Sequence, residues 1–311
     1  MTSVPKFILI GGSPRSGTSL VQKLLISHSR IDGGPEFVYM PKMSILFDQM
    51  KKSIIRDSIS MYVNEEKLIE NFQKFTKSFF ESSITDNTYY ISEKTPSNIF
   101  AFLSFNEYLP SAKLLNVYRD GRAVVASFRN VRKRALKNGQ YLENISLIAS
   151  IKTWNNSIDA YFEYVEEVGN NLYSVKYEDL VTNPRLVLLE LMHWLDLELE
   201  DQMLSPELIN FNDNKKDAKI NDIWYTKGMY NQSFNTSNID TWKKELNFFE
   251  KIISNILMAD RLDRLEYPVK GIYLTLNRVL KLCTWKYHKT YLKKSSLVIN
   301  MYKKFLLKIK M

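Results

Sequence analysis

The chain has 311 residues, 45% hydrophobic and 25% charged, with 10 glycines, 9 prolines and a net charge of +9. This is the composition of an ordinary globular protein with room for one large core or two small ones, and it excludes fibrous and low-complexity classes. The charge is uneven: residues 267–311 carry +11 and no acidic side chain, leaving −2 for residues 1–266, so the body lacks the basic surplus of a nucleic-acid-binding protein.

Cys283 is the only cysteine, so no intrachain disulfide forms. Together with His28, His193 and His288 it makes no zinc-site spacing, and no metal is expected. His28, near the end of the first predicted helix, reads as a partner of that helix's negative end. No run of about 18 apolar residues offers a membrane-spanning helix. An apolar strand follows the N-terminus almost at once, so the expectation is a cytoplasmic protein without a secretion signal.

In chain order, Phe7 to Ile10 reads as a short strand buried on both faces. Gly11, Gly12, Ser13 and Pro14 make a loop in which backbone can approach a ligand closely. From Gly17 onward Leu20, Val21, Leu24 and Leu25 fall at helical spacing. Strand, glycine loop and helix start together form a cradle for an anion, because unpaired N–H groups and the positive helix end converge on one spot. Arg15, Ser16, Thr18 and Ser19 add side-chain donors to it. Gly12 to Ser19 fits G-x-x-x-x-G-x-S, with Thr18 where the nucleotide-triphosphatase loop has its lysine, which weighs against kinase or ATPase chemistry.

Residues 31–37 read as a loop at the carboxyl side of that strand, where open α/β sheets bind ligands. Glu36 lies in it, and from the residues alone is either a site carboxylate or a solvated cap of the helix starting near Pro41. Helical spacing covers 41–56 and 64–83, the latter with Asn64 as N-cap. Residues 89–91 are a strand candidate, and Pro96 opens a helix with Lys94 just before it, either aimed at the strand ends or a plain surface lysine. Lys113 to Tyr118 is a second core strand, running into RDGRAVVAS (119–127), where Asp120 can cap a helix reaching toward Arg134. Arg119 and Ser127 lie about two helical turns apart and can face one anion. A helix is predicted over about 143–168, a strand over 172–176 leading into Tyr177, and a helix over 184–195. Two strand-to-helix anion sites in one chain suggest one ligand with phosphates at two positions.

With those motifs the chain resembles the sulfotransferases that use 3′-phosphoadenosine 5′-phosphosulfate, and within them the tyrosylprotein sulfotransferases and related bacterial enzymes. The stretch GGSPRSGTSL (11–20) is similar to their 5′-phosphosulfate loop, NVYRDGRAVVAS (116–127) to their 3′-phosphate site, and Glu36, Lys94 and Pro96 follow the family order. The resemblance covers about residues 6–266. It implies an α/β fold, a P-loop-like mainly parallel sheet flanked by helices, with a sulfotransferase domain at 1–266 and a basic helical extension at 267–311. It also implies Glu36 as general base, with Arg15 and Lys94 stabilising the transferring group. Ser13, Pro14, Arg15, Ser16, Gly17, Thr18 and Ser19 would hold the 5′ end of the donor, Arg119 and Ser127 its 3′-phosphate, and Tyr177 its adenosine. Residues 226–238, from Thr226, are similar to the family's late loop over the 3′-phosphate. The family lysine there precedes a tryptophan, whereas here Lys243 and Lys244 follow Trp242, and Lys243 is the candidate carried over.

The implied function is sulfuryl transfer to a hydroxyl acceptor, a saccharide or a protein tyrosine. The rival readings are a nucleotide-dependent kinase and a non-enzymatic membrane-surface protein. The segment 267–311 mixes lysines with Leu276, Trp285, Tyr287 and Phe305. It reads as a peripheral anchor at the inner membrane surface, a helical extension packed on the domain, or a cationic groove for an anionic glycan.

Overall fold

The structure, a computed structural model, describes residues 5–142, 145–208, 223–224 and 233–282. The chain divides into two compact units, Met1–Asn247 and Phe248–Met311. The first contains the strands β1 (Lys6–Gly12), β2 (Ile31–Gly33), β3 (Tyr90–Lys94), β4 (Lys113–Tyr118) and β5 (Leu172–Lys176), all parallel, in the order β2-β3-β1-β4-β5. Its helices in chain order are α1 (Thr18–Leu25), α2 (Met40–Ile55), α3 (Glu65–Ser78), α4 (Phe102–Tyr108), α5 (Gly121–Lys137), α6 (Leu147–Val168), α7 (Tyr177–Thr182), α8 (Pro184–Trp194) and α9 (Thr241–Glu245).

The apolar run of β1 is explained by its central place, since a parallel strand with neighbours on both edges and helices on both faces meets no water. Its side chains alternate between two cores. Phe7 and Leu9 join Ile91 and Leu114 beneath α2, α3, α4 and α6, while Ile8 and Ile10 join Leu115 and Val117 beneath α1 and α8. Each of these large apolar side chains contributes about 1.5–3 kcal/mol by leaving water. The result is three layers, helix–sheet–helix, as the fold class anticipated.

The capping residues behave as their chemistry dictates. Asn64 accepts from the Lys67 N–H at 2.8 Å, and Asp120 accepts from the Arg122 N–H at 2.8 Å. Several boundaries differ from the sequence reading. Residues 31–33, read as loop, are the edge strand β2; three residues ending in glycine show no periodicity, and Gly33 fits only because it lacks a side chain, whose Cβ would lie 2.6 Å from the Ser92 carbonyl oxygen. The helix expected to reach 83 stops at Ser78, and the chain then turns so that Phe80 packs edge-on against Phe7. Pro96 opens a 3-10 turn, Pro96–Ala101, before α4. α6 begins at Leu147 rather than 143, where Ser146 caps it by accepting from the Ala149 N–H at 3.1 Å.

His28 lies past the end of α1 as a buried bridge rather than a helix-dipole partner. It accepts the Arg30 N–H at Nδ1 (3.1 Å), and Nε2 lies 3.0 Å from the Glu198 carbonyl oxygen. In the second unit, α10 (Phe248–Arg264) is tied to helical residues 271–282 by Asn277, which donates to the Ile256 carbonyl at 2.7 Å. The remainder of the expected basic extension, 283–311, lies outside the described residues. Among the described residues no helix is long and apolar enough to cross a membrane.

The last residue of β1, Gly12, sits at φ +144°, and a Cβ there would stand 2.2 Å from the Val117 carbonyl oxygen of β4. Neither backbone can yield without breaking the pairing of the two strands. Gly12→Ala is therefore expected to destabilise the fold by about 2–5 kcal/mol, the sum of backbone strain and overpacking, read as a lower urea midpoint.

Candidate active site

The carboxyl ends of β1, β3 and β4 open into a cleft of about 1310 Å³. Pockets for one small ligand commonly fill about 300–1,000 Å³, and this cleft exceeds that range. Its lining includes Pro14, Arg15, Gly17, Thr18 and Ser19 from the glycine loop and α1, with Glu36, Arg119, Ser127 and Tyr177 around them.

The glycine loop has the backbone needed for an anion cradle. Gly17 stands at φ +105° against the Tyr177 ring, which a Cβ would approach to 2.6 Å. Arg15 takes the left-handed conformation, φ 74°, unusual for a residue with a side chain and costing on the order of 1 kcal/mol. Ser13 and Ser16 are buried supports of the loop: Ser16 Oγ donates to the Val117 carbonyl at 2.8 Å, and Ser13 Oγ to the Pro14 carbonyl at 3.2 Å. Thr18 and Ser19 open α1, where first-turn N–H groups have no intrahelical acceptor.

The two anion motifs meet. Arg15 donates from Nε to Ser127 Oγ at 3.0 Å and from Nη1 to the Trp224 carbonyl at 2.8 Å. The Arg119 guanidinium lies over the Tyr177 ring, 4.2 Å from its centroid. It donates from Nη1 to the Arg15 carbonyl at 3.4 Å and from Nη2 to the Asn238 carbonyl at 2.5 Å. Its buried Nε–H has no acceptor among the described groups. A buried guanidinium held by neutral carbonyls, with one N–H unspent, suits a ligand that brings negative charge.

On the other side of β1, Lys94 ends β3 and is buried. Its ammonium donates to Ser19 Oγ at 3.2 Å and forms an ion pair with Glu36. One lysine thus ties the anion loop to the carboxylate. Neither Lys94 nor Lys243 lines the cleft; Lys94 is buried beneath it, whereas Lys243 is exposed on α9 and paired with Asp240 at 2.8 Å. Thr226 lies outside the described residues.

Sequence reasoning missed the groups that hold these side chains in place. The buried Trp154 indole N–H donates to the Arg119 carbonyl at 3.0 Å. Glu178 accepts the Asp120 N–H at 3.0 Å, and Asp120 grips the Arg122 guanidinium at 2.9 and 2.7 Å while that group stacks 4.3 Å from the Trp242 centroid. Trp154 and Glu178 carry no local signal, because their partners are distant in sequence. Among the described residues no cluster of metal-ligating side chains forms.

The model of the sulfotransferase family matches residues 5–201. The chain belongs to that family. Protein-tyrosine sulfotransferase A of Caenorhabditis elegans is 28% identical over 217 residues, which are 65% of this chain and 52% of the relative. Protein-tyrosine sulfotransferase 1 of Danio rerio is 26% identical over 205 residues, 64% of this chain and 56% of the relative. The chain thus spans about half the length of these relatives. Among solved structures, the sulfotransferase domain from the curacin biosynthetic pathway superposes with a TM-score of 0.58 at 18% identity, covering 86% of this chain and 99% of that one. Mouse sulfotransferase SULT7A1, solved in complex with PAP, gives 0.50 at 11% identity, covering 89% and 91%. At those identities the two structures establish the sulfotransferase fold for this member of the family.

Proposed function

We propose that this chain is a sulfotransferase moving a sulfuryl group from 3′-phosphoadenosine 5′-phosphosulfate to the hydroxyl of a tyrosyl or saccharide acceptor. The observation that carries the reading is the Lys94 bridge, which holds a carboxylate at hydrogen-bonding range of the same cation that touches the anion loop. The residues fit the donor, since a glycine loop lies at one end and the incompletely satisfied Arg119 at the other.

When bound, the donor supplies an activated sulfuryl group on a phosphate leaving group. Glu36 takes the proton from the acceptor hydroxyl. Arg15 and Lys94 place positive charge where negative charge develops, preorganised and half-shielded from water. Residues 13–19 hold the 5′ end, Arg119 and Ser127 the 3′-phosphate, and the Tyr177 face borders the adenosine. The reading assigns the reaction to residues within 1–266. A tyrosyl acceptor is favoured by the relatives' names and by the aromatic cluster beside Glu36, in which Phe37 meets Tyr39 at 5.9 Å and Phe79 at 5.3 Å.

Calorimetry with 3′-phosphoadenosine 5′-phosphate, without added metal and with ATP as control, tests this. Binding that prefers the 3′-phosphorylated nucleotide is the expected result. A preference for ATP with magnesium would replace the reading with a kinase.

A further inference from the structure

Glu93 lies on β3 one residue before Lys94, so the strand's alternation sends the two side chains to opposite faces of the sheet, and Glu93 does not line the cleft. It is buried, yet no cation pairs with it directly among the described residues. Its Oε1 accepts the Phe37 N–H at 3.0 Å and the Thr95 hydroxyl at 2.7 Å, and its Oε2 accepts Asn98 Nδ2 at 2.6 Å. The same Asn98 amide nitrogen donates to the Ile10 carbonyl of β1 at 3.1 Å. Burial holds the Glu93 carboxyl above the ordinary carboxylate range, against the opposing pull of the Asn98, Thr95 and Phe37 donors and the Lys94 charge.

Each partner leads to a group of the proposed chemistry, Phe37 and Thr95 directly and Asn98 through Ile10. Phe37 follows Glu36, Thr95 follows Lys94, and Ile10 precedes the glycine loop. The segment 34–37 reaches the cleft from a three-residue edge strand, which by itself anchors it poorly. A buried carboxylate is costly to desolvate, and an apolar side chain would fill the same space without that cost. The carboxylate is accounted for if it fixes geometry rather than adding stability.

Resting on the sulfuryl-transfer reading above, we infer that Glu93 is a positioning residue for the reaction: it fixes the Glu36 backbone relative to Lys94 and the anion loop while touching no substrate. Because most of the groups assigned to the nucleotide follow β1 and β4 or stand on α1, α5 and α7, Glu93 governs chiefly the placement of the base and leaves nucleotide binding largely alone.

The test is Glu93→Gln, which keeps size and shape. With its NH2 in the place of Oε1 the amide confronts the Phe37 N–H, and in the place of Oε2 it confronts the Asn98 NH2, whose unpaired Oδ1 can accept only if the amide turns away from the Ile10 carbonyl. The expected result is a kcat lower by about 10- to 100-fold, since displacement of a reacting group by about 1 Å can cost that much, with nucleotide affinity kept within about twofold. Without any donor present, amide hydrogen exchange at Phe37 should accelerate while α5 keeps its protection. Thr95→Val, which removes one of the three donors, serves if the first variant does not fold; it should show the same split, with a kcat loss of about threefold. An unchanged kcat, or a kcat loss matched by equal loss of nucleotide affinity and faster exchange throughout, overturns the inference. A parent chain that neither binds the nucleotide nor turns over overturns the sulfuryl-transfer reading itself, and the role of Glu93 with it.

Discussion

Glu36→Gln is expected to lower kcat by about 10²–10⁴ while the affinity for 3′-phosphoadenosine 5′-phosphate stays close to that of the parent, because it removes a general base and little else. Glutamine has the shape of glutamate and can still accept a hydrogen bond from Lys94 through its amide oxygen. What disappears is the oxygen that takes a proton from the acceptor hydroxyl. Glu36 is linked to the start of α1 through Lys94, whose ammonium also reaches Ser19, and the glutamine keeps that link. The change leaves the 7% exposed Lys94 ammonium without its counter-charge, and water reaching the 30% exposed position 36 moderates the stability lost. Single-turnover rates with an acceptor used by the parent, set beside calorimetry, read the two quantities separately. Turnover within about threefold of the parent would remove Glu36 from the base role.

Arg119→Ala is expected to act in the opposite way, weakening nucleotide binding by about 10- to 150-fold, the equivalent of a charged hydrogen bond worth about 1.5–3 kcal/mol. The buried guanidinium is held by the Arg15 and Asn238 carbonyls and the Tyr177 face, and truncation removes its charge together with that platform. Selectivity should collapse along with affinity, so that the variant no longer prefers 3′-phosphoadenosine 5′-phosphate to the nucleotide lacking its 3′-phosphate. Arg119→Lys should recover only part of the loss, because an ammonium restores charge but not the planar group that stacks on Tyr177. Equal affinities for parent and Arg119→Ala would assign the 3′-phosphate to another group.

Much of this architecture is legible in the residues. The runs at 7–10 and 113–118, each followed by glycine and arginine at a helix start, announce central parallel strands feeding an anion site, because their signals are local. The capping roles of Asn64 and Asp120 are legible for the same reason. What is not legible is whatever depends on a partner far along the chain. β2 is too short for a period to show and exists because β3 offers it an edge. Trp154 sits at helical apolar spacing like any core residue, and only the fold brings its N–H to the Arg119 carbonyl. Lys94 could be suspected from its place before Pro96, but its reach to both Ser19 and Glu36 follows from the strand order. Lys243, chosen for its nearness to Trp242, turns to Asp240 instead, three residues away on the same exposed helix end.

The order β2-β3-β1-β4-β5 has a consequence for how such a protein can diversify. β1 is a partition. Most groups assigned to the nucleotide stand on it and on the β4–β5 side, while the proposed base, its lysine and the aromatic cluster stand on the β3–β2 side, and the two halves meet where Lys94 touches Ser19. On the sulfuryl-transfer reading, lineages can redraw the outer half around Glu36 and Lys94, exchanging one acceptor for another, with little change to the half proposed to recognise the donor. A single central strand lets heredity treat the two reactants as separate traits.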